Sequence, residues 1–388
     1  MISIAELIST INNNDKNIII KKYGDFHLVC YNKKQIVLEE NVCMDYYRHL
    51  RSVICRHLPE DPSKLDRGDP RSPTIYSVSP SKSIDYDVFS QRYPIIDNSI
   101  IVEDFIEGTM INVFWNDGKW EISTKTTIGG NSTFFCDKTF KTMFDEAANA
   151  VNLKIDLLDK FVSYSFVLQH PENRIVTAFY KPSLWLIEAY HISPDTIYAL
   201  NTRSIVTTDP AFTYSQVRTP QIYSVLSSTY DQLYTYFTDK STPYNIMGVV
   251  IRDTKTNERT KIRNPNYESV RQLRGNQPKL QYHYFVLLKE NRVYEFLQYY
   301  PEYKAKFKSF GAEKDAYIRT LFHHYKSCYI RKERKLGDYP SNFKTHMYKI
   351  HELFKTVLRP NELYVTLNEV INYFNQLQPP LQMWSINN

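Results

Sequence analysis

The period of the apolar pattern changes once along this chain, near residue 268, and that change limits the folds open to it. Before it, short β-rich runs are separated by turn residues. After it, apolar residues recur at helical spacing as far as Leu377. A period of 2 and a period of 3.6 bury different kinds of face, so strands followed by helices describe an α+β body with its own helical unit. We expect two domains: residues 1–268, which include an N-terminal hairpin region over 1–75, and a basic helical domain over 269–388.

Within the first part the spacing predicts a short helix, then a hairpin over Ile18–Val29 around Gly24-Asp25. The Pro/Asp/Gly-rich stretch 59–74 reads as a loop. Gly108–Trp115 and Trp120–Thr124 flank Asn116-Asp117-Gly118 and predict a second hairpin. A helical pattern covers 138–160. Three strands are expected over Ser163–Gln169, Ile175–Phe179 and Leu184–Tyr190. Residues 213–240 have helix-like spacing, and Met247–Arg252 with Arg259–Arg263 predict a third hairpin. No internal repeat is evident.

Composition removes several classes. With 42% hydrophobic and 23% charged residues the chain is neither disordered, collagenous nor a coiled coil. No apolar run is long enough to cross a bilayer, and the start, MISIAELIST, lacks a basic-then-apolar leader, so neither a membrane partner nor secretion is expected. The five cysteines (Cys30, Cys43, Cys55, Cys136, Cys328) are scattered and odd in number, which fits reduced thiols in a cytoplasmic setting. Ten glycines against 31 tyrosines indicate the codon bias of an AT-rich genome, as in large DNA viruses and many parasites.

Charge is unevenly spread. Residues 270–388 hold 19 of the 48 Lys and Arg but only 10 of the 42 Asp and Glu, a net of +9 that leaves −3 for the rest. A basic helical third points to RNA or another polyanion as its partner, although a lysine-rich solvated helix surface would give the same count.

Five pieces in the β-rich part carry chemistry by their order. They are Arg51-Ser-Val-Ile-Cys; Glu103-Asp-Phe105-Ile-Glu107-Gly108; Lys125 at the end of the second hairpin; Ser165–Val176 with its Asn-Arg-Ile-Val; and Gly248-Val-Val-Ile followed by Lys261-Ile-Arg263-Asn-Pro-Asn-Tyr267. In this order the chain resembles the covalent nucleotidyltransferases, and most closely the phage-type RNA ligase 1 family of tRNA-repair ligases, over about residues 45–270. The resemblance implies the ATP-dependent ligase-like fold: antiparallel sheets around a groove, followed here by an all-α domain. It implies ATP and Mg²⁺ as cofactors if the chain is active.

In that family a motif lysine attacks the α-phosphate of ATP, which splits one difficult transfer into two. Cations neutralise the moving phosphates. Carried over residue by residue, the resemblance puts Arg51, Lys82, Glu107, Gly108, Lys125, Lys261, Arg263 and Tyr267 at nucleotide or phosphate. The lysine position, however, is Phe105, which has no lone pair to give. Two glutamate positions fall near Leu168 or Gln169 and on Met247, so the acids that would serve a metal are missing. The expectation is a degenerate, ligase-like pseudoenzyme of a large DNA virus that binds nucleotide or nucleic acid. It would reside in the host cytoplasm, a viral factory or the virion. Two alternatives remain: an active ATP-dependent RNA ligase using Lys82 or Lys125 as a relocated nucleophile, and a structural or assembly protein with viral protein partners.

Weaker signals have ordinary readings beside the functional ones. His324 and Cys328 would share a helix face, with His323 adjacent, but no ligand cluster lies near them in sequence. The run Arg331–Lys335 fits a nucleic-acid contact or a solvated helix end. Aromatics interleaved with basic residues over 282–310 fit a helical core better than a base-stacking platform. His170 fits a strand end better than a general base.

Overall fold

The computed structural model describes residues 2–11, 15–38, 47–58, 73–223 and 229–388. The chain forms two compact units, 1–272 and 273–388. The expected boundary at 268 falls inside the helix Pro265–Arg274. That helix begins directly after the last strand, so the change of period precedes the change of unit.

The first unit contains fourteen strands among its described residues. In chain order they are β1 (Ile2–Ser3), β2 (Ile18–Tyr23), β3 (Phe26–Tyr31), β4 (Val53–Arg56), β5 (Thr74–Val78), β6 (Ile100–Asp104) and β7 (Thr109–Asn116). There follow β8 (Lys119–Ser123), β9 (Val162–Gln169), β10 (Ser183–Ile192), β11 (Thr196–Ala199), β12 (Ile222–Tyr223), β13 (Gly248–Asp253) and β14 (Arg259–Arg263). They make three antiparallel sheets, ordered β1-β11-β10-β9-β7-β8, β12-β6-β13-β14 and β2-β3-β4-β5. All three expected hairpins form. At the β7–β8 turn both Asp117 and Gly118 have positive φ, as a tight two-residue hairpin turn requires.

Alternation on β7 assigns its two faces. Ile111 and Val113 enter a core with Met143, Phe144 and Ala147 of the helix Phe140–Ala150. Each large side chain buried there contributes about 1.5–3 kcal/mol. Thr139 starts that helix by accepting a hydrogen bond from the Thr142 N–H at 3.1 Å. On the other face Asn112 donates to Ser79 Oγ at 2.7 Å, tying the six-stranded sheet to the segment after β5. The sheet β12-β6-β13-β14 packs Val102, Val249, Ile251 and Ile262 against helices Tyr86–Arg92 and Tyr230–Thr238.

Two expected elements differ. Ile175–Phe179 is not a strand: the carboxylate of Glu107 accepts hydrogen bonds from the N–H groups of Val176 and Thr177 and from Thr177 Oγ1, which occupies donors that a ladder would use. The helix-like stretch 213–240 is helical only over Tyr230–Thr238; residues 224–228 lie outside the described residues, and Ile222–Tyr223 pairs with β6 as an edge strand. The expected loop 59–74 lies outside the described residues except for its end, where Thr74 opens β5.

The second unit is helical as expected, with its longest helix over Lys304–Tyr325. Several of the interleaved aromatics of its first half are core: Phe296 stacks on Phe307 at 5.2 Å between ring centroids, with Tyr284, Phe285 and Tyr300 buried nearby, while Tyr294 is exposed. His324 packs on Tyr339 and Phe343. Among the described residues no helix is long and apolar enough to cross a membrane. No group of three or more His, Cys, Asp or Glu gathers as a metal site among them.

Candidate functional site

The connection from β6 to β7 passes between two sheets, and a cavity of about 220 Å³ opens there. One wall is the six-stranded sheet, through Met110, Val167 and Ile187; the other is the β6-β13-β14 face, through Val250, Lys261 and Arg263. Arg51, just before β4, and Phe105 and Gly108, in the connection, complete it. Two glycines let the backbones come this close. An added Cβ would lie 2.5 Å from the Leu168 carbonyl oxygen at Gly108 (φ +149°), and 2.0 Å from that of Ile262 at Gly248 (φ +127°).

Strand pairing accounts for the cations on one wall. Val250 lies opposite both Glu103 and Lys261, and Arg252 lies opposite Arg259. Arg263 lies opposite Gly248, whose carbonyl oxygen accepts the Phe105 N–H at 3.3 Å. With no side chain on Gly248, the Phe105 ring can approach Arg263. Its centroid is 5.1 Å from the Arg263 guanidinium carbon and 5.7 Å from Lys261 Nζ.

The cations differ in how they are compensated. Arg263 pairs with Glu268. Arg252 and Arg259 are buried and share Glu188, and Arg252 also donates to Glu103 at 2.9 Å; Arg203 reaches the second oxygen of Glu103 at 3.2 Å. Burial opposes the charge on Arg252, but Glu188 and Glu103 outweigh it and leave its pKa raised. Arg51 and Lys261 have no carboxylate or hydrogen-bond acceptor among the described residues. Burial, then the neighbouring Arg263, Arg51, Arg259 and Lys82 charges, lower the Lys261 pKa to about 7. Burial first, then Arg259, lower that of Arg51. Among the described residues the cavity lining thus holds more cations than carboxylates, a positive surplus suited to an anion.

The remaining expected site residues stand apart from this lining. Lys82 lines a smaller adjoining cavity with Arg48, His49, Glu258 and Arg259, near enough for its charge to act on Lys261. Lys125 lies over the Tyr31 ring at 4.4 Å, with its pKa lowered by burial and by Arg51. Glu107 is buried and spent on the 176–177 backbone, and burial raises its pKa against those hydrogen bonds. Tyr267 is buried, with its phenol pKa raised by desolvation. His170 follows β9 and bonds to Glu146 at 2.9 Å.

The lining does not fit a directly bound Mg²⁺. Its carboxylates are Glu103, held by Arg252 and Arg203, and Asp104, held by the Tyr223 hydroxyl and the Gln221 N–H. At the expected acidic positions, Gln169 receives hydrogen bonds from Ser183 and Trp185, Leu168 is core, and Met247 lines the cavity. The network of Glu103, Glu188, Arg252 and Arg259 was not expected from the sequence. Its signal was a charged pair closing the apolar run Gly248–Asp253, where a solvated strand end would read the same way.

No protein-family model matches the chain. It is 24% identical over 240 residues to the immediate-early protein ICP-46 homolog of Invertebrate iridescent virus 3, a match over 59% of this chain and 49% of that protein. The chain therefore spans about half the length of the curated relative it matches. Among solved structures it is similar to a Naegleria gruberi RNA ligase variant with AMP and Mn, at 13% identity and a TM-score of 0.38, covering 49% of this chain and 57% of that one. A second similarity is to an Aquifex aeolicus chain assigned as an ATP-dependent DNA ligase, at 10% identity and a TM-score of 0.39, covering 88% and 78%.

Proposed function

We propose that this is an RNA-ligase-like protein of nucleotidyltransferase fold, encoded by a large DNA virus, that binds the phosphates of a nucleotide or nucleic-acid end without forming a nucleotide adduct at the motif position. One observation carries the reading: Arg51 and Lys261 face the same cavity with no carboxylate partner among the described residues, and Phe105, at the position the resemblance gives to the motif lysine, lines it with them. An anion entering there gains charge-assisted hydrogen bonds at sites already desolvated, so the cavity favours phosphate oxygens over neutral ligands. Attack on an anionic phosphorus needs a nucleophile in line and charge neutralisation, and the lining has phenylalanine at the motif position and, among the described residues, no carboxylate free for a metal. The basic helical unit is assigned to RNA, and the host cytoplasm, viral factory or virion is the proposed setting.

The apolar character of both Phe105 and Met247, which line the same cavity, supports a second reading, an assembly protein that reuses the groove for a viral protein partner. One experiment separates these. The protein is incubated with α-labelled ATP and Mg²⁺, denatured and examined for label, and ATP and RNA affinities are titrated against salt. The binding reading expects no label, and affinity that falls as salt rises. Label lost in Lys82→Ala or Lys125→Ala would establish an active ligase with a relocated nucleophile and overturn it. Absence of both label and binding would leave the assembly reading.

A further inference from the structure

The proposed attraction of phosphate uses only the charge of Lys261, yet its surroundings also favour the uncharged amine. Arg259 and Arg263 stand two residues away on either side along β14. Arg51, from before β4, and the Phe105 ring, from the β6–β7 connection, line the same cavity, and the charge of Lys82 in the adjoining cavity also acts on it. Opposite on β13 is Val250, and beyond it Glu103, whose carboxylate is held by Arg252 and Arg203. Among the described residues no hydrogen-bond acceptor or carboxylate holds Nζ as an ammonium. With a pKa of about 7, a large share of these amines carry a free lone pair near neutral pH, while an ordinary lysine carries almost none.

We propose that Lys261 is a covalent capture site for small phosphorylated aldehydes, with Arg51 and Arg263 holding the phosphate and Nζ forming an imine with the carbonyl carbon. The amine lone pair attacks that carbon as the C=O π pair moves to oxygen, and a proton passes from nitrogen to oxygen to give the carbinolamine. The nitrogen lone pair then expels the protonated hydroxyl as water. The net change is amine plus aldehyde to imine plus water, with no electron transfer. An aldehyde carbon, unlike the phosphorus of ATP, carries no shielding anionic oxygens, so this step needs no metal. The anionic cargo and the neutral amine fit one cavity, because each cation beside Lys261 both attracts the phosphate and disfavours the ammonium.

Pyridoxal 5′-phosphate is the probe, with borohydride to trap the imine and peptide mapping to place it. The expected result is saturable labelling of Lys261 ahead of the surface lysines, about tenfold or more faster than with phosphate-free pyridoxal, since the cationic cavity concentrates the anion. Its rate should rise to a plateau through about pH 7, whereas surface lysines keep gaining reactivity at higher pH. Lys261→Arg should abolish the label at this peptide, and Arg51→Gln should slow it in a chain that still melts cooperatively. Label spread over many lysines, or equal rates with pyridoxal, would overturn the proposal. A separate ATP titration keeps the two readings apart: labelling without ATP binding removes the nucleotide reading alone, and ATP binding without labelling removes this one.

Discussion

The Phe105 ring presents its face to Lys261, whose Nζ lies 5.7 Å from the ring centroid. A ring face carries partial negative charge, so it favours the ammonium form that the neighbouring Arg263, Arg51, Arg259 and Lys82 charges oppose. Phe105→Leu keeps an apolar side chain and removes the quadrupole that both Lys261 and Arg263 use. Urea denaturation should show a loss of about 0.5–2 kcal/mol at pH 6. No loss would mean that the ring acts there by volume alone.

The Lys261 shift has a defined sign. Its folded-state pKa is lowered to about 7 from 10.5, so between these values the unfolded chain binds more protons than the folded one. This group therefore destabilises the ligand-free protein fully below about pH 7, and stability recovers as pH rises towards 10.5. Lys261→Met should be more stable than the parent at pH 6 and should lose that part of the slope; paired melting curves from pH 6 to 9.5 test it.

Arg51 is the cation with most to gain from a bound phosphate. Arg51→Gln should weaken binding of a 5′-phosphorylated RNA oligonucleotide about tenfold and lower the slope of log affinity against log salt by about one. An unchanged slope would place the phosphate elsewhere.

Glu107→Ala should cost about 2–4 kcal/mol in thermal or chemical unfolding, because the Val176 and Thr177 N–H groups lose their acceptors. Glu107→Gln keeps one acceptor oxygen and should cost less. Hydrogen exchange should report the loss at 176 and 177 first.

The hairpins and the change of period were legible because they are local: turn residues and alternation lie within ten residues of each other. Glu107 was legible as a motif acid, but its hydrogen bonds to Val176 and Thr177 were not. Its partners are about seventy residues away, and nothing within Asn173–Thr177 shows that those N–H groups would seek a carboxylate instead of a strand. The same holds for the cations. Lys261 and Arg263 stood out through the resemblance, but which arginine ends without a carboxylate among the described residues depends on Glu188, whose place on β10 coincides with an irregularity in its pairing to β9. Such a shift is set by packing of the whole sheet.

That glutamate carries a test of its own. Glu188→Ala removes the carboxylate shared by the buried Arg252 and Arg259 and should destabilise by about 3–5 kcal/mol, the usual penalty of stranding a buried charge. Equilibrium unfolding measures it, and a cost near zero would show that solvent reaches the pair.

Arg259, Lys261 and Arg263 are alternate residues of one short strand, and the residues between them, Thr260 and Ile262, face the helices behind the sheet. A slip of β14 by one position against β13 would exchange the two sets. It would bury three cations among Val249, Ile251 and Phe237 and present a methyl-lined wall to the groove. The charge of the site is therefore not an addition to a finished scaffold. The hairpin cannot be threaded wrongly without moving all three cations into an apolar layer, so the charged residues of this strand also help to proofread the sheet that holds them.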